Sequence, residues 1–389
     1  MELFEWTGMN WQTSFSLVTL LILVLVAIYS AAIPQGGRRF WVIGAMIGAL
    51  VLLAQWLDGA LWRMLLLDAA ALAAVALVWQ QNRRAGRLYL AAVVAGGLLT
   101  AGGLALGGFF STGPLQPQGA VGKICLALLV LGFSIKLAVI PFSFWLPPVA
   151  ESASPMSAVL IIAVLDMAEL GELALLRVEA PWVFTAIEPV WIGLALLTMF
   201  AGALLALSQT NVRRMLAFST IDDMGYLLLG LAAGTPEAVL GVLIGAVSHA
   251  ACKFLLFGAV GAAENDLKHP LTLADRGLAT QYPLAGAAFI AGSLGMIGVP
   301  PLMGFLGRWR LYLSGVTLGG AALGLAMAAA TGLALFYYVR VIHRVWLGAA
   351  ETTETRGVPR PVGFCLAAVM VLLVAAGLFP MLLPGLGGR

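Results

Sequence analysis

The sequence predicts an all-α, polytopic membrane protein with about twelve transmembrane helices. Three observations predict it. Of the 389 residues, 61% are hydrophobic and only 10% are charged, whereas soluble domains carry about 25% charged residues. Apolar runs of membrane-spanning length recur along the whole chain. Between them, lysine and arginine collect in alternate loops. No soluble domain of useful size remains, because the longest polar stretches run only from Glu264 to Tyr282 and from Gly348 to Pro361. Neither holds a nucleotide fold or a cofactor domain. Cys125, Cys252 and Cys365 stand apart in apolar surroundings, without metal-ligand spacing, and read as small packed hydrophobes.

The first span, 13–33, follows Met1-Glu2-Leu3-Phe4-Glu5-Trp6. That start is acidic and aromatic, where a cleaved signal peptide begins basic, so the segment reads as a retained helix. Spans 40–57, 61–80 and 87–109 follow. The fifth, 118–148, is long and interrupted at Pro141. Spans 154–177, 183–208, 213–232 and 237–262 come next. The tenth, 281–315, is again long and is interrupted at Pro300-Pro301; spans 318–343 and 361–384 complete the set. A proline frees backbone groups that only protein or water can satisfy at membrane depth.

One set of alternate loops carries Arg38, Arg39, Arg83, Arg84, Arg87, Arg213, Arg214, Lys268, Arg276, Arg344, Arg356 and Arg360. The opposite side carries Arg63, Arg177 and Arg389. Positive residues stay inside, so both termini are expected on the outer side. The two interrupted helices lie five spans apart. Five is odd, so a five-helix repeat is inverted in the membrane, an architecture in which broken helices meet buried charges near the midplane.

The charges inside the spans point to an ion pathway. Lys136 precedes Pro141 in a nearly unbroken apolar run, where a lysine costs about 2.5–3.5 kcal/mol. Burial disfavours an amine's charge and a nearby carboxylate restores it, so a lysine whose partner moves away can take up and release a proton. Asp68, in the third span, is a candidate for that partner; snorkelling to an interface is the plain alternative for both. Asp166, Glu169 and Glu172 share one helical stripe in the sixth span. Three such acids share protons or need cationic partners; Glu172 near an interface, paired with Arg177, is the simpler reading of the last. His249 and Lys253 share a face of the ninth span at i and i+4, and histidine suits a proton relay. Arg308 follows the second break. It can anchor a carboxylate or a lipid headgroup, or repel a cation, but it does not carry protons. Arg310 close by reads as interfacial. Asp222 and Asp223 lie about two turns inside the eighth span, where one can reach Lys136 or Lys253.

These motifs resemble the antiporter-like subunits of respiratory complex I, a family shared with Mrp-type cation/proton antiporters and membrane-bound hydrogenases. The matching segments are Gly132-Phe133-Ser134-Ile135-Lys136 through Pro141-Phe142-Ser143-Phe144-Trp145-Leu146-Pro147, Ser154-Pro155-Met156-Ser157-Ala158, Leu207 to Ile221, His249 to Phe257, and Gly298-Val299-Pro300-Pro301-Leu302-Met303-Gly304-Phe305. They keep family order over roughly residues 60 to 345. The chain's short length, Trp145 and Tyr337-Tyr338-Val339-Arg340-Val341 look most like the N-type subunit, NADH-quinone oxidoreductase subunit N.

The resemblance places Lys136 on the family's lysine in its first broken helix, His249 and Lys253 on its central relay, and Asp68 where a glutamate usually pairs with that lysine. It also marks departures. About two helices are missing at the start. Asp166 or Glu169 stands where a lysine or histidine is usual. Arg308 replaces a titratable group. The implied organisation is N-terminal transmembrane helices over 1–57, an antiporter-like proton-conducting core over 58–346, and a polar loop with a C-terminal helix over 347–389.

The expected function is proton translocation along Asp68, Lys136, Asp166, Glu169, His249 and Lys253, with Arg308 at the far end, as the membrane subunit of a complex I-like NADH, ferredoxin or hydrogenase-type assembly. By the same resemblance, partner membrane subunits and a peripheral redox arm would hold FMN, iron–sulphur clusters and quinone, while this chain holds no cofactor or metal and does no redox chemistry. Lipids surround it in a bacterial or archaeal inner membrane, and no nucleic acid is involved. The alternatives are an Mrp-like antiporter subunit that moves Na⁺ against protons, and a structural or ion-uptake-coupling subunit whose path has degenerated.

Overall fold

The computed structural model describes residues 11–110, 117–350 and 354–379. Met1 to Trp6, Arg389 and the end of the last expected span lie outside the described residues. Among those described, the chain is helical, with one isolated antiparallel bridge between Asn211 and Thr272. The helices are α1 (Trp11–Ala32), α2 (Arg38–Ala54), α3 (Ala60–Gln81), α4 (Arg83–Leu106), α5 (Gly119–Lys136), α6 (Leu146–Ser152), α7 (Pro155–Val159), α8 (Asp166–Glu179), α9 (Trp182–Thr185), α10 (Glu188–Ser208), α11 (Val212–Ala233), α12 (Pro236–Leu267), α13 (Leu278–Gln281), α14 (Pro283–Ile297), α15 (Met303–Val341) and α16 (Arg360–Leu378). Among the described residues, nine helical segments are long and apolar enough to cross a membrane, and α14 is a shorter apolar helix. α15 joins what the sequence divides into two spans: its helical backbone fails only at Gly319 and Gly320.

Polar caps at the loop ends start the central helices. The Asn211 side chain accepts from the Arg214 amide at 3.0 Å, and Thr235 Oγ1 accepts from the Ala238 amide at 3.1 Å, with Pro236 in the first turn of α12. Each satisfies an amide that the helix itself leaves free. Gly234, left-handed at φ 60°, closes α11. Every residue from Met215 to Ala232 is buried, and so is every residue from Met156 to Leu176. α11 and the α7–α8 segment therefore form the core. α1, α2, α4 and the far half of α15 show large apolar side chains such as Leu17, Val42, Leu98 and Phe336 on the outer surface. That is the surface a bilayer would cover.

The two breaks are built alike. α5 stops at Lys136, and the chain turns before the short helices Ser143–Trp145 and α6. α14 stops at Ile297 and the chain turns before α15. In the first break the Val139 amide donates to Ser134 O at 2.8 Å and the Phe142 amide to Val139 O at 2.6 Å. In the second, the Val299 amide donates to Leu294 O at 3.0 Å and the Leu302 amide to Val299 O at 3.1 Å. Ala138 and Gly298 hold the same place, both left-handed, at φ 51° and 85°. By this register Lys136 answers to Met296. Carbonyls freed at each break find donors: Trp145 Nε1 bonds Ile135 O at 2.8 Å, and Arg308 Nη2 bonds Met296 O at 2.7 Å. A π-helical turn, Leu160–Leu165, leads directly into Asp166, the kind of irregular turn that often re-aims side chains at functional sites.

Candidate functional site

The first charged centre forms where α3, α5 and α8 meet. Lys136 ends α5, where the partial negative charge of the helix terminus favours a cation. Its ammonium bonds the Asp68 carboxylate and stands 3.3 Å from Glu169 Oε1. The lysine is 7% exposed. Two glycines on α4 let the pair approach: a Cβ on Gly97 would meet Asp68 Oδ2 at 2.9 Å, and one on Gly96 would meet Lys136 Cγ at 2.7 Å. Tyr89 and Trp145 stack beside it with ring centres 5.0 Å apart. A cavity of about 20 Å³ lies between Asp68, Lys136, Asp166 and Glu169, room for about one water. Asp166 lines it, buried, with no hydrogen-bond or ion-pair partner among the described residues. The centre thus sets one lysine against three carboxyl groups.

The second centre forms where α11, α12 and α15 meet. Asp223 accepts from Arg308 Nη2 through Oδ1 at 2.7 Å, and its Oδ2 lies 2.8 Å from His249 Nδ1. The Arg308 guanidinium also lies 3.8 Å from the centre of the Tyr226 ring. A second cavity of about 20 Å³ is lined by Asp223, Ser248, His249 and Arg308. His249 Nε2 is buried without a partner among the described residues. Next to Asp223, Asp222 accepts from the Tyr337 hydroxyl at 2.9 Å.

Lys253 lies one turn along α12 from His249. It is fully buried and donates to Leu216 O at 2.9 Å and to Ser219 Oγ at 2.7 Å. No carboxylate among the described residues bonds it directly. Asp166, by contrast, lines the first cavity.

The residues expected from sequence fall into this arrangement in parts. Asp68, Lys136, Asp166 and Glu169 come together. His249 and Arg308 come together around Asp223. Lys253 shares a helix with His249 but has different partners. Neither Asp222 nor Asp223 makes an ion pair with Lys136 or Lys253; Asp223 holds Arg308 and His249 instead. Glu172 pairs not with Arg177 but with Arg63, at 2.7 Å. Five residues along a helix turn the side chain about 140° away, and Arg177 instead donates to Leu231 O at 2.9 Å. Arg63 itself, read from sequence as an outer-side charge, is 5% exposed. Its place one turn into α3, beside an acidic stripe elsewhere in the chain, was the available signal. Arg310 lies 3.2 Å from Glu237, whose side chain is largely exposed.

A polytopic helical bundle with two matched helix breaks, each beside buried opposite charges, defines a class of integral membrane proteins. Residues 98–334 match the family described as NADH:quinone oxidoreductase/Mrp antiporter, TM. The chain belongs to that family. It is 31% identical to NADH-quinone oxidoreductase subunit N of Rhodospirillum rubrum, over 80% of this chain and 67% of that one. Respiratory complex I from Thermus thermophilus contains a chain of the same fold, with a TM-score of 0.80 and 26% identity, over 96% of this chain and 86% of that one. A chain of the Mrp complex from Dietzia sp. DQ12-45-1b has a TM-score of 0.88 at 20% identity, over 98% of this chain and 83% of that one. The chain spans between 51% and 67% of the length of the first curated relatives it matches.

Proposed function

We propose that the chain is a proton-translocating membrane subunit of a complex I-like assembly in a bacterial or archaeal inner membrane. The observation that carries this reading is Lys136: a buried lysine at a helix break, between carboxylates from two other helices, beside the unpartnered Asp166. A lysine shared this way changes its charge state when either carboxylate moves or protonates. Asp166 then offers the next site toward Lys253, and His249 continues the line to Asp223. Moving one charge against 100 mV costs about 2.3 kcal/mol, so the drive comes from partner subunits. Those partners, a peripheral redox arm among them, would carry the FMN, iron–sulphur clusters and quinone. Lys136→Met removes the exchangeable charge. In reconstituted vesicles of the assembled complex it should abolish coupled proton pumping while assembly persists; normal pumping would refute the assignment.

The excess of carboxyl groups at the first centre favours a second reading, exchange of Na⁺ for protons. Purified protein that releases protons on addition of Na⁺, without any redox partner, would decide for it.

A further inference from the structure

Buried charge extends past the first centre along α8. Glu172, one turn beyond Glu169, is 4% exposed. Arg63 reaches it from α3: Nε donates to Glu172 Oε2 at 2.7 Å, and Nη2 stands 3.4 Å from both oxygens of Glu179. The other oxygen of Glu172, Oε1, is sealed from solvent and has no partner among the described residues. Glu179 has a side chain 30% exposed. Asp166, Glu169, Glu172 and Glu179 therefore form a line of carboxyl groups from the buried cavity to the surface. From Asp166 to Glu179 the helix rises about 20 Å, more than half of a hydrocarbon core about 30 Å thick. Both the cavity end and the middle of this line carry unfilled hydrogen-bonding capacity, on Asp166 and on Glu172 Oε1. At the second centre Arg308 keeps its proton and Asp223 is held on both oxygens.

We propose that α8 is an outward proton arm, leading from the Lys136 centre to the membrane face opposite the arginine-rich loops, and that Arg63 is its gate. The proposal rests on the proton-transport reading above. At rest the guanidinium between Glu172 and Glu179 is a fixed positive charge that repels an incoming proton. A proton leaving Glu169 adds to the free Oε1 of Glu172. The neutral carboxyl then releases Arg63, which Glu179 draws outward. The proton passes from Glu172 to outer water, the carboxylate is restored, and Arg63 returns. Each cycle moves one proton, and nothing is oxidised or reduced. Arg63 is a positioning residue; the carboxyl groups carry the proton.

Infrared difference spectra of the assembled complex after an acid pulse read the protonated-carboxyl band with no electron donor present. The band should contain a component that Glu172→Gln deletes. Arg63→Gln should speed its appearance about tenfold, and Arg63→Lys should restore the original rate. A band unaffected by Glu172→Gln, or an unchanged rate in assembled Arg63→Gln, overturns the proposal. Because no pumping is required, this result is separate from that of Lys136→Met. Should Arg63→Gln fail to assemble, Glu179→Gln decides, since it leaves Arg63 on Glu172. The protonated-carboxyl band should then appear about fivefold more slowly after the acid pulse, and an unchanged rate overturns the arm.

Discussion

Lys136 and Arg308 are both buried cations beside a broken helix, yet they are held in opposite ways. Lys136 is shared by carboxylates from α3 and α8 and borders a small cavity, so its partners can change. Arg308 is fixed by Asp223, by Met296 O and by the Tyr226 ring. An arginine in such a cage anchors structure and shapes the local field. Its dependence on Asp223 is testable. Asp223→Asn leaves a guanidinium 8% exposed without its counter-charge, and breaking one side of a buried pair costs about 3–5 kcal/mol. Thermal unfolding of the detergent-purified protein should shift clearly downward; an unchanged midpoint would show that Asp223 is not what holds Arg308. The i, i+4 spacing of His249 and Lys253 correctly put them on one helix face. It could not show that one bonds a carboxylate and the other a carbonyl and a hydroxyl.

At the scale of elements, the helix breaks position the charges. Both breaks use one turn geometry, with a left-handed residue followed by an amide that bonds five residues back. Gly298 takes that place in the second break, and a Cβ there would meet Arg308 Cβ at 2.9 Å. Gly298→Ala therefore combines a left-handed backbone, costing about 1–2 kcal/mol for an L-residue, with pressure on the Arg308 side chain. The expected result is a lower unfolding midpoint and a weakened Asp223 contact. Wild-type stability in that variant would show that the turn relaxes freely. The prolines told where the helices break. The turn itself begins earlier, just after Lys136 and Ile297, because a proline ring clashes with the helical carbonyl four residues back.

Across the whole molecule, the arginine-rich face does more than orient the chain. Arg213 donates to Ala153 O at 2.7 Å and pairs with Glu264. Glu264 Oε1 in turn accepts from the Leu271 amide at 2.8 Å. Arg214 pairs with Glu151 at 3.0 Å, and Arg340 donates to Leu207 O and Gln209 O. These contacts tie α6, α11 and α12 together, and α15 to the end of α10. A hydrogen bond to a charged group is worth about 1.5–3 kcal/mol. In Glu264→Gln the Leu271 amide should exchange with solvent about tenfold faster or more, read by hydrogen–deuterium exchange. No acceleration would mean that the remaining contacts hold this face by themselves.

By itself the sequence determined the class of protein, the helices that break and most of the residues whose charge is buried. These follow from local quantities: apolar run length, the placement of lysine and arginine, proline, and helical periodicity. Only the tertiary structure decided which charge meets which. Arg63 with Glu172, Asp223 with Arg308 and Asp166 with an open cavity each depend on how helices distant in sequence pack side by side. A period of 3.6 residues assigns a side chain to a face of its own helix. It says nothing about the helix on the other side of that face, and at membrane depth the partner there decides whether a charge is fixed or free to exchange a proton.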